Sequence, residues 1–352
     1  MSDSILLSVE PTLLATMNSI SSHSQTHQDD PKTGQHCSGS DDRNSLRILV
    51  VGAGGVGGYF GGRLAQAGRD VTFLVRPRRA EELKANGLKI ISPHGDVTIT
   101  PRLALTGDVR STYDVVLLAV KAYTLDAAID DFAFAVGSET MIVPFLNGMK
   151  HMDLLTARFG KSAVLGGVCF VATTLKDDGS VVQLEGFQSL SYGEVTGEKT
   201  PRLEKLDQSL QDAGFEAKPS GQILHDMWQK WVFLATAGGI TCLLRGNVGE
   251  IEAAPGGAGL ARQFLAECCA VSSASGYVPE PAFVAKTEST LTAPGSKWAS
   301  SMYRDLSSGR PVEADQIIGD LVERARQVHV PAPLLAAAFA HLKIYQNRLS
   351  AA

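Results

Sequence analysis

Three features of the 352-residue sequence predict an α/β fold in which a parallel-sheet domain is followed by an all-helical C-terminal domain. The apolar run Leu46-Arg47-Ile48-Leu49-Val50-Val51 leads straight into Gly52-Ala53-Gly54-Gly55-Val56-Gly57 and then into a helical pattern. From there short β-rich runs alternate with helical stretches, the signature of parallel strands joined by crossover helices. Beyond about Ser220 the periodicity is helical almost throughout.

The first strand, Leu46 to Val51, and the helix after it, with Tyr59, Phe60, Leu64 and Ala65 on one side, flank the glycine triad as a Rossmann-type dinucleotide site requires. The first glycine permits the tight turn, the second lets backbone amides approach a pyrophosphate, and the third lets the helix pack on the strand. The helix N-terminus favours the anion. Gly52, Ala53, Gly54, Gly55, Val56 and Gly57 are therefore the candidate cofactor turn. Further strands are placed at Val71 to Val75, Val115 to Val120, Met141 to Phe145 and Val164 to Thr174. Val181 to Leu184 and Ser189 to Tyr192 read as short antiparallel strands around glycine-containing turns, and Glu198 to Ala213 as a helix ended by Gly214. Pro255-Gly256-Gly257-Ala258-Gly259 has no strand before it and reads as a connector.

With 44% hydrophobic and 20% charged residues, the chain holds enough apolar material for two cores. A formal charge of -5 and no basic stripe with interleaved aromatics argue against a nucleic-acid surface. No apolar run is long enough to cross a bilayer. Five irregularly spaced cysteines, Cys37, Cys169, Cys242, Cys268 and Cys269, suit neither a disulfide framework nor a zinc site, which points to a reducing cytoplasm and no metal. Residues 1–45 are rich in Ser, His, Asp and Thr and read as a disordered extension, with His23, His27 and His36 solvated rather than metal-bound.

The second strand ends at Arg76, where an NAD-type site would place an acid for the ribose 2′-hydroxyl. A guanidinium can instead bind a 2′-phosphate through a bidentate fork, which selects NADP(H). Arg78 and Arg79, close behind, could equally form a solvated basic turn. The segments are then a Rossmann NADP-binding domain over 46–220 and a helical substrate and catalytic domain over 221–349.

Ligands of open α/β sheets sit beyond the carboxyl ends of the strands. Lys121 and Asn147 stand at two such ends, although either could mark a return to solvent. On the helix beginning near Gly221, Ile223, Met227, Lys230 and Leu234 share one face, so a lysine interrupts an apolar stripe while Gln222, Asp226 and Gln229 hold the other side. It could snorkel, or serve as a proton donor poised by burial and a nearby carboxylate. Glu313 opens a later helix on the same face as Ile317, Leu321, Ala325 and Val328; it could complement the helix dipole or pair with Lys230. Ser300 and Ser301 could cap that region or bind a substrate carboxylate.

Taken in order, these elements, together with Val120-Lys121-Ala122, Asn147-Gly148-Met149, Trp228-Gln229-Lys230, Gly249-Glu250, Ser300-Ser301-Met302 and Val312-Glu313-Ala314-Asp315, give a chain that resembles the ketopantoate reductase (2-dehydropantoate 2-reductase) family from roughly Leu46 to Leu349. The resemblance implies NADPH-dependent reduction of a small-molecule 2-oxo acid between a Rossmann and a helical domain, and admits a homodimer. It makes Lys230 and Glu313 the catalytic pair, with Lys230 the proton donor and Glu313 also contacting the cofactor. It places Lys121 and Asn147 beside both cofactor and substrate, and Ser301 on the substrate. Family asparagines are replaced here by Leu234, Gly238 and Ile318, and a further one maps near Val248, beside Asn247. The ketone-reducing machinery is retained while the substrate-reading shell is not. Two competing readings are a β-hydroxyacid dehydrogenase of the 6-phosphogluconate type, which expects an asparagine at Leu234, and a non-catalytic NADPH-binding sensor.

Overall fold

The computed structural model describes residues 46–351. The extension read over residues 1–45, with its histidines and Cys37, lies outside them. The chain runs β1 (Arg47–Val51), α1 (Gly55–Gln66), β2 (Asp70–Leu74), α2 (Pro77–Asn86), β3 (Leu88–Ile91), β4 (Val97–Ile99), β5 (Arg102–Ala104) and β6 (Val115–Leu118). It continues through α3 (Leu125–Phe132), β7 (Met141–Pro144), α4 (Lys150–Phe159), β8 (Leu165–Leu175), β9 (Val181–Glu194), α5 (Pro201–Leu210) and β10 (Glu216–Pro219).

One sheet has the order β5-β2-β1-β6-β7, with all neighbours parallel. Ile48, Leu49 and Val50 of β1 are fully buried, as a central strand covered on both faces must be. A second sheet, β10-β9-β3-β4, carries β8 antiparallel on β9. The two separate strands expected at 181–184 and 189–192 are one strand, β9, because β8 partners it on both sides of a register shift. At that shift residues 184–187 of β9 stand opposite Ala172 alone. Strands β3, β4, β5 and β10 were not expected; each has only three or four residues, too few for periodicity to register.

From Ile223 the chain is helical: α6 (Ile223–Leu244), α7 (Val248–Ala253), α8 (Gly257–Ala274), α9 (Pro281–Leu291) and α10 (Ser301–Ser307), then a π-helical turn (Asp315–Gly319), α11 (Asp320–Gln327) and α12 (Pro333–Ala351). The Pro255–Gly259 run connects α7 to α8 and enters it, as read. No helix among the described residues is long and apolar enough to cross a membrane. The four described cysteines are free thiols.

The glycines of the first turn divide by packing. A Cβ at Gly57 would stand 2.0 Å from Gly52 O and 2.9 Å from Ala119 Cβ, whereas one at Gly54 would meet nothing within 4 Å. Gly57→Ala is therefore expected to lower the thermal midpoint markedly, at a cost of about 3 kcal/mol or more, and Gly54→Ala to leave it nearly unchanged. Equal midpoints in the two variants would contradict this packing.

Candidate active site

Helix α1 begins at the glycine turn, with Gly54 as an extended N-cap that offers no side chain to its first amides. Those amides have no partner within the helix, and the space above Gly54 is open, so an anionic group can approach. Gly52 takes φ 96°, a conformation suited to glycine, and its amide donates to Leu74 O at 3.0 Å. Strand β8 arches over this turn, bringing Thr173 Oγ1 within 2.9 Å of where a Gly55 Cβ would be.

At the end of β2 the three arginines part ways. Arg76 is exposed, caps α2 through its backbone and makes no ion pair among the described residues. Arg78, 92% exposed, pairs with Glu82. Arg79 is not solvated: its Nε donates to Ala53 O at 3.1 Å and its Nη2 to Gly179 O at 3.0 Å, tying the glycine turn to the β8–β9 connection.

Lys121 follows β6 by three residues, and its ammonium lies 3.4 Å from Glu313 Oε2 and 3.8 Å from Asp305 Oδ2. The other Glu313 oxygen accepts from the Ala122 amide at 3.0 Å. Partial burial works to lower the Lys121 pKa, but Glu313 and Asp305 outweigh it and hold the group above its ordinary value. Glu313 thus meets Lys121, and the pairing with Lys230 that the shared periodicity suggested does not occur. Periodicity reports which face a residue occupies, not what lies opposite. Sequence reasoning also missed Asp305, which sits four residues beyond Ser301 on α10 and bridges Lys121 to Arg310. That i, i+4 spacing was the available signal.

Lys230 lies on α6 where that helix crosses β8. Its Nζ donates to Cys169 O at 2.8 Å and stands 5.5 Å from the Phe170 ring centroid. Among the described residues it makes no ion pair. On one side it lines a small cavity with Asn147, Gly148, Gly167 and Trp231. On the other, Gln222, Asp226 and Gln229 line with it a groove of about 270 Å³ against β9, β10 and α9. Burial pushes the Asp226 carboxyl above its usual range, against a 2.5 Å hydrogen bond from Ser220.

Ser300 caps α10, accepting from the Tyr303 amide at 3.0 Å and sharing a 2.8 Å hydrogen bond with Thr241, while Ser301 is exposed. Four positions read as departures are apolar in their setting. Val248 and Ile318 are 1% and 0% exposed and belong to the core; Leu234 is partly buried, and the gap at Gly238 is filled by the Met302 terminal methyl, 2.6 Å from a hypothetical Cβ. Asn247 is occupied as the cap of α7, in a reciprocal pair with Glu250. The structure therefore joins Lys230 with Asn147, and Lys121 with Glu313, while Arg76 and Ser301 stand apart as exposed side chains.

The family described as ketopantoate reductase PanE/ApbA matches residues 48–197, and its C-terminal counterpart matches residues 222–346. The uncharacterized oxidoreductase YkpB of Bacillus subtilis (strain 168) is 39% identical over 301 residues, covering 86% of this chain and 99% of its own length. A 2-dehydropantoate 2-reductase of Mesorhizobium japonicum is 28% identical over 319 residues, 84% of this chain and 96% of the relative. Among solved structures, 2-dehydropantoate 2-reductase from Geobacter metallireducens GS-15 gives a TM-score of 0.77 at 27% identity, covering 85% of this chain and 99% of that one. D-mandelate dehydrogenase, solved with NADH and anilino(oxo)acetate, gives 0.78 at 21% identity over 87% of this chain and 99% of that one, a likeness of fold.

Behind Asn147, His151 is fully buried, and burial, then the charges of Lys230 and Arg324, bring its pKa from 6.5 down to about 3. A base whose folded pKa is depressed stabilises the fold fully above its unfolded value and progressively less as pH falls towards the folded one. Between pH 7 and pH 5 this group should cost about 2 kcal/mol of stability. Urea unfolding of His151→Asn, which keeps an acceptor, should lack that component; an unchanged pH dependence would contradict the burial argument.

Proposed function

The chain belongs to the ketopantoate reductase family, and from that premise we propose that it is an NADPH-dependent reductase of a small 2-oxo acid, with Lys230 donating a proton to the carbonyl oxygen. The observation that carries this reading is the small cavity, of about 10 Å³, that Lys230, from the helical part, lines together with Asn147, from a strand end of the parallel sheet.

The residues present fit the cofactor. The open space over Gly54 and the free amides of α1 suit a pyrophosphate, and the unpaired Arg76 at the end of β2 suits a 2′-phosphate, where a carboxylate would repel it. When bound, NADPH supplies the hydride. Asn147 and Lys121 border the nicotinamide end, residues 46–220 hold the cofactor, and residues 221–349 bring the acid.

Reduction of a ketone takes up a hydride at carbon and a proton at oxygen, so negative charge grows on that oxygen in the transition state. Lys230 is suited to meet it, because its ammonium is held by a neutral carbonyl and, among the described residues, has no counter-charge to be displaced. After transfer the resulting amine is reprotonated from solvent. Lys121 and Ser301, at the exposed start of α10, border the substrate, and Glu313 fixes Lys121 together with the turn after β6. Retention of an uncompensated lysine facing Asn147 favours catalysis over a sensor, which needs no proton donor. A cytoplasmic setting is part of the proposal.

A panel of 2-oxo acids that includes ketopantoate, followed by NADPH absorbance, tests the reading. At least one acid is expected to be reduced, and Lys230→Ala to lower kcat about 10²- to 10⁴-fold while leaving the NADPH Kd nearly unchanged. Full activity in that variant would refute the role of Lys230. Arg76→Ala should weaken NADPH about 10-fold or more while sparing NADH, since a charge-assisted hydrogen bond is lost. Equal wild-type Kd values for the two cofactors would remove the basis for NADPH.

A further inference from the structure

Between Glu313 and α11 the chain makes one π-helical turn, Asp315–Gly319, which redirects groups that an α-helix would keep within itself. The Ile317 carbonyl accepts from Trp231 Nε1 at 2.8 Å, and Trp231 is the neighbour of Lys230 on α6. Gln316, only 4% exposed, points the other way. Its Nε2 donates to Asn147 O at 2.9 Å and reaches His151 Nδ1 at 3.0 Å. With both amide hydrogens used, His151 carries its own proton on Nε2, which has no partner among the described residues. The backbone closes the same contact: Gly148 takes φ 80°, and a Cβ there would stand 2.6 Å from Gln316 O. A single turn of helix therefore touches both walls of the cavity that Lys230 shares with Asn147.

We propose that Gln316 is a positioning residue, which fixes the Asn147-Gly148 turn against Lys230 and so sets where the nicotinamide end and the carbonyl are held. This rests on the reductase reading, but the placement itself can be measured without turnover. The donor is what matters. A thioether or an isobutyl side chain fills the space yet offers Asn147 O no hydrogen.

Gln316→Met and Gln316→Leu remove the donor while filling the space, and either suffices if the other fails to fold. In the free protein, amide exchange over residues 145–152 should accelerate about 10-fold or more in both variants, as a local opening loses its tie. NADPH should bind with a Kd within about twofold of wild type, since the glycine turn is untouched, but the fluorescence enhancement of its nicotinamide should fall by about half or more. With the best 2-oxo acid, kcat should fall about 10- to 100-fold with KM changed less than about threefold, and the deuterium isotope effect on hydride transfer should rise. Wild-type exchange and nicotinamide fluorescence in both variants, even with a lowered thermal midpoint, would overturn the proposal. Failure of wild-type protein to reduce any 2-oxo acid would instead sink the reductase reading and leave the exchange and fluorescence results to decide the role of Gln316.

Discussion

The arrangement depends on two adjacent glycines at which strand β8 passes between the parallel sheet and the helical half. A Cβ at Gly167 would stand 2.4 Å from Pro144 O, and one at Gly166 would stand 2.7 Å from Ile223 Cγ1. Side chains there would push β7, β8 and α6 apart. With only hydrogen at both positions, α6 lies directly on β8, and the carbonyl of Cys169, three residues on, comes within reach of the Lys230 ammonium. Close backbone approach, not a charge pair, is what seats this lysine. The same strand also covers the glycine turn, its far end reaching over Gly55 through Thr173.

Charge is distributed in two different ways around this seam. Lys121 is compensated by Glu313 and Asp305, so its interactions join the turn after β6 to the helical half. Among the described residues, Lys230 is satisfied by a carbonyl and an aromatic face. A compensated ammonium has little field left for a developing oxyanion, whereas an uncompensated one has most of its own. Lys121 is thus tied into the fold by charge, and the proposed proton donor, Lys230, is not. Leu234, Gly238, Val248 and Ile318 offer no amide to a ligand, so the side-chain amides beside Lys230 are those of Asn147, Gln222 and Gln229.

Much of this was legible in the sequence, for reasons that particular residues make plain. Strands β1, β2, β6 and β7 announce themselves because each is buried on both faces, as the edge strand β5 is not, and the glycine turn because Gly52 and Gly57 have no tolerable substitute in their surroundings. Lys230 stood out because a charge interrupted an apolar stripe. What failed was pairing: Glu313 shares a face with apolar residues, yet its partner is Lys121, nearly two hundred positions away in sequence and on another element. The π-turn was invisible, since one extra residue in a helical turn leaves the apolar period almost intact. So was the continuity of β9, where the register shift at Ala172 mimics a turn. Arg79 looked like its neighbours and is set apart by the carbonyls of Ala53 and Gly179, which no local pattern announces.

The most direct measurement of the central claim is a crystal structure of the complex with NADPH and an unreactive 2-oxo acid analogue. The account predicts Lys230 Nζ within about 3.2 Å of the analogue's carbonyl oxygen, with Asn147 on the opposite side of that oxygen's cavity. An ammonium still on Cys169 O, with the carbonyl oxygen resting against Lys121 instead, would contradict it.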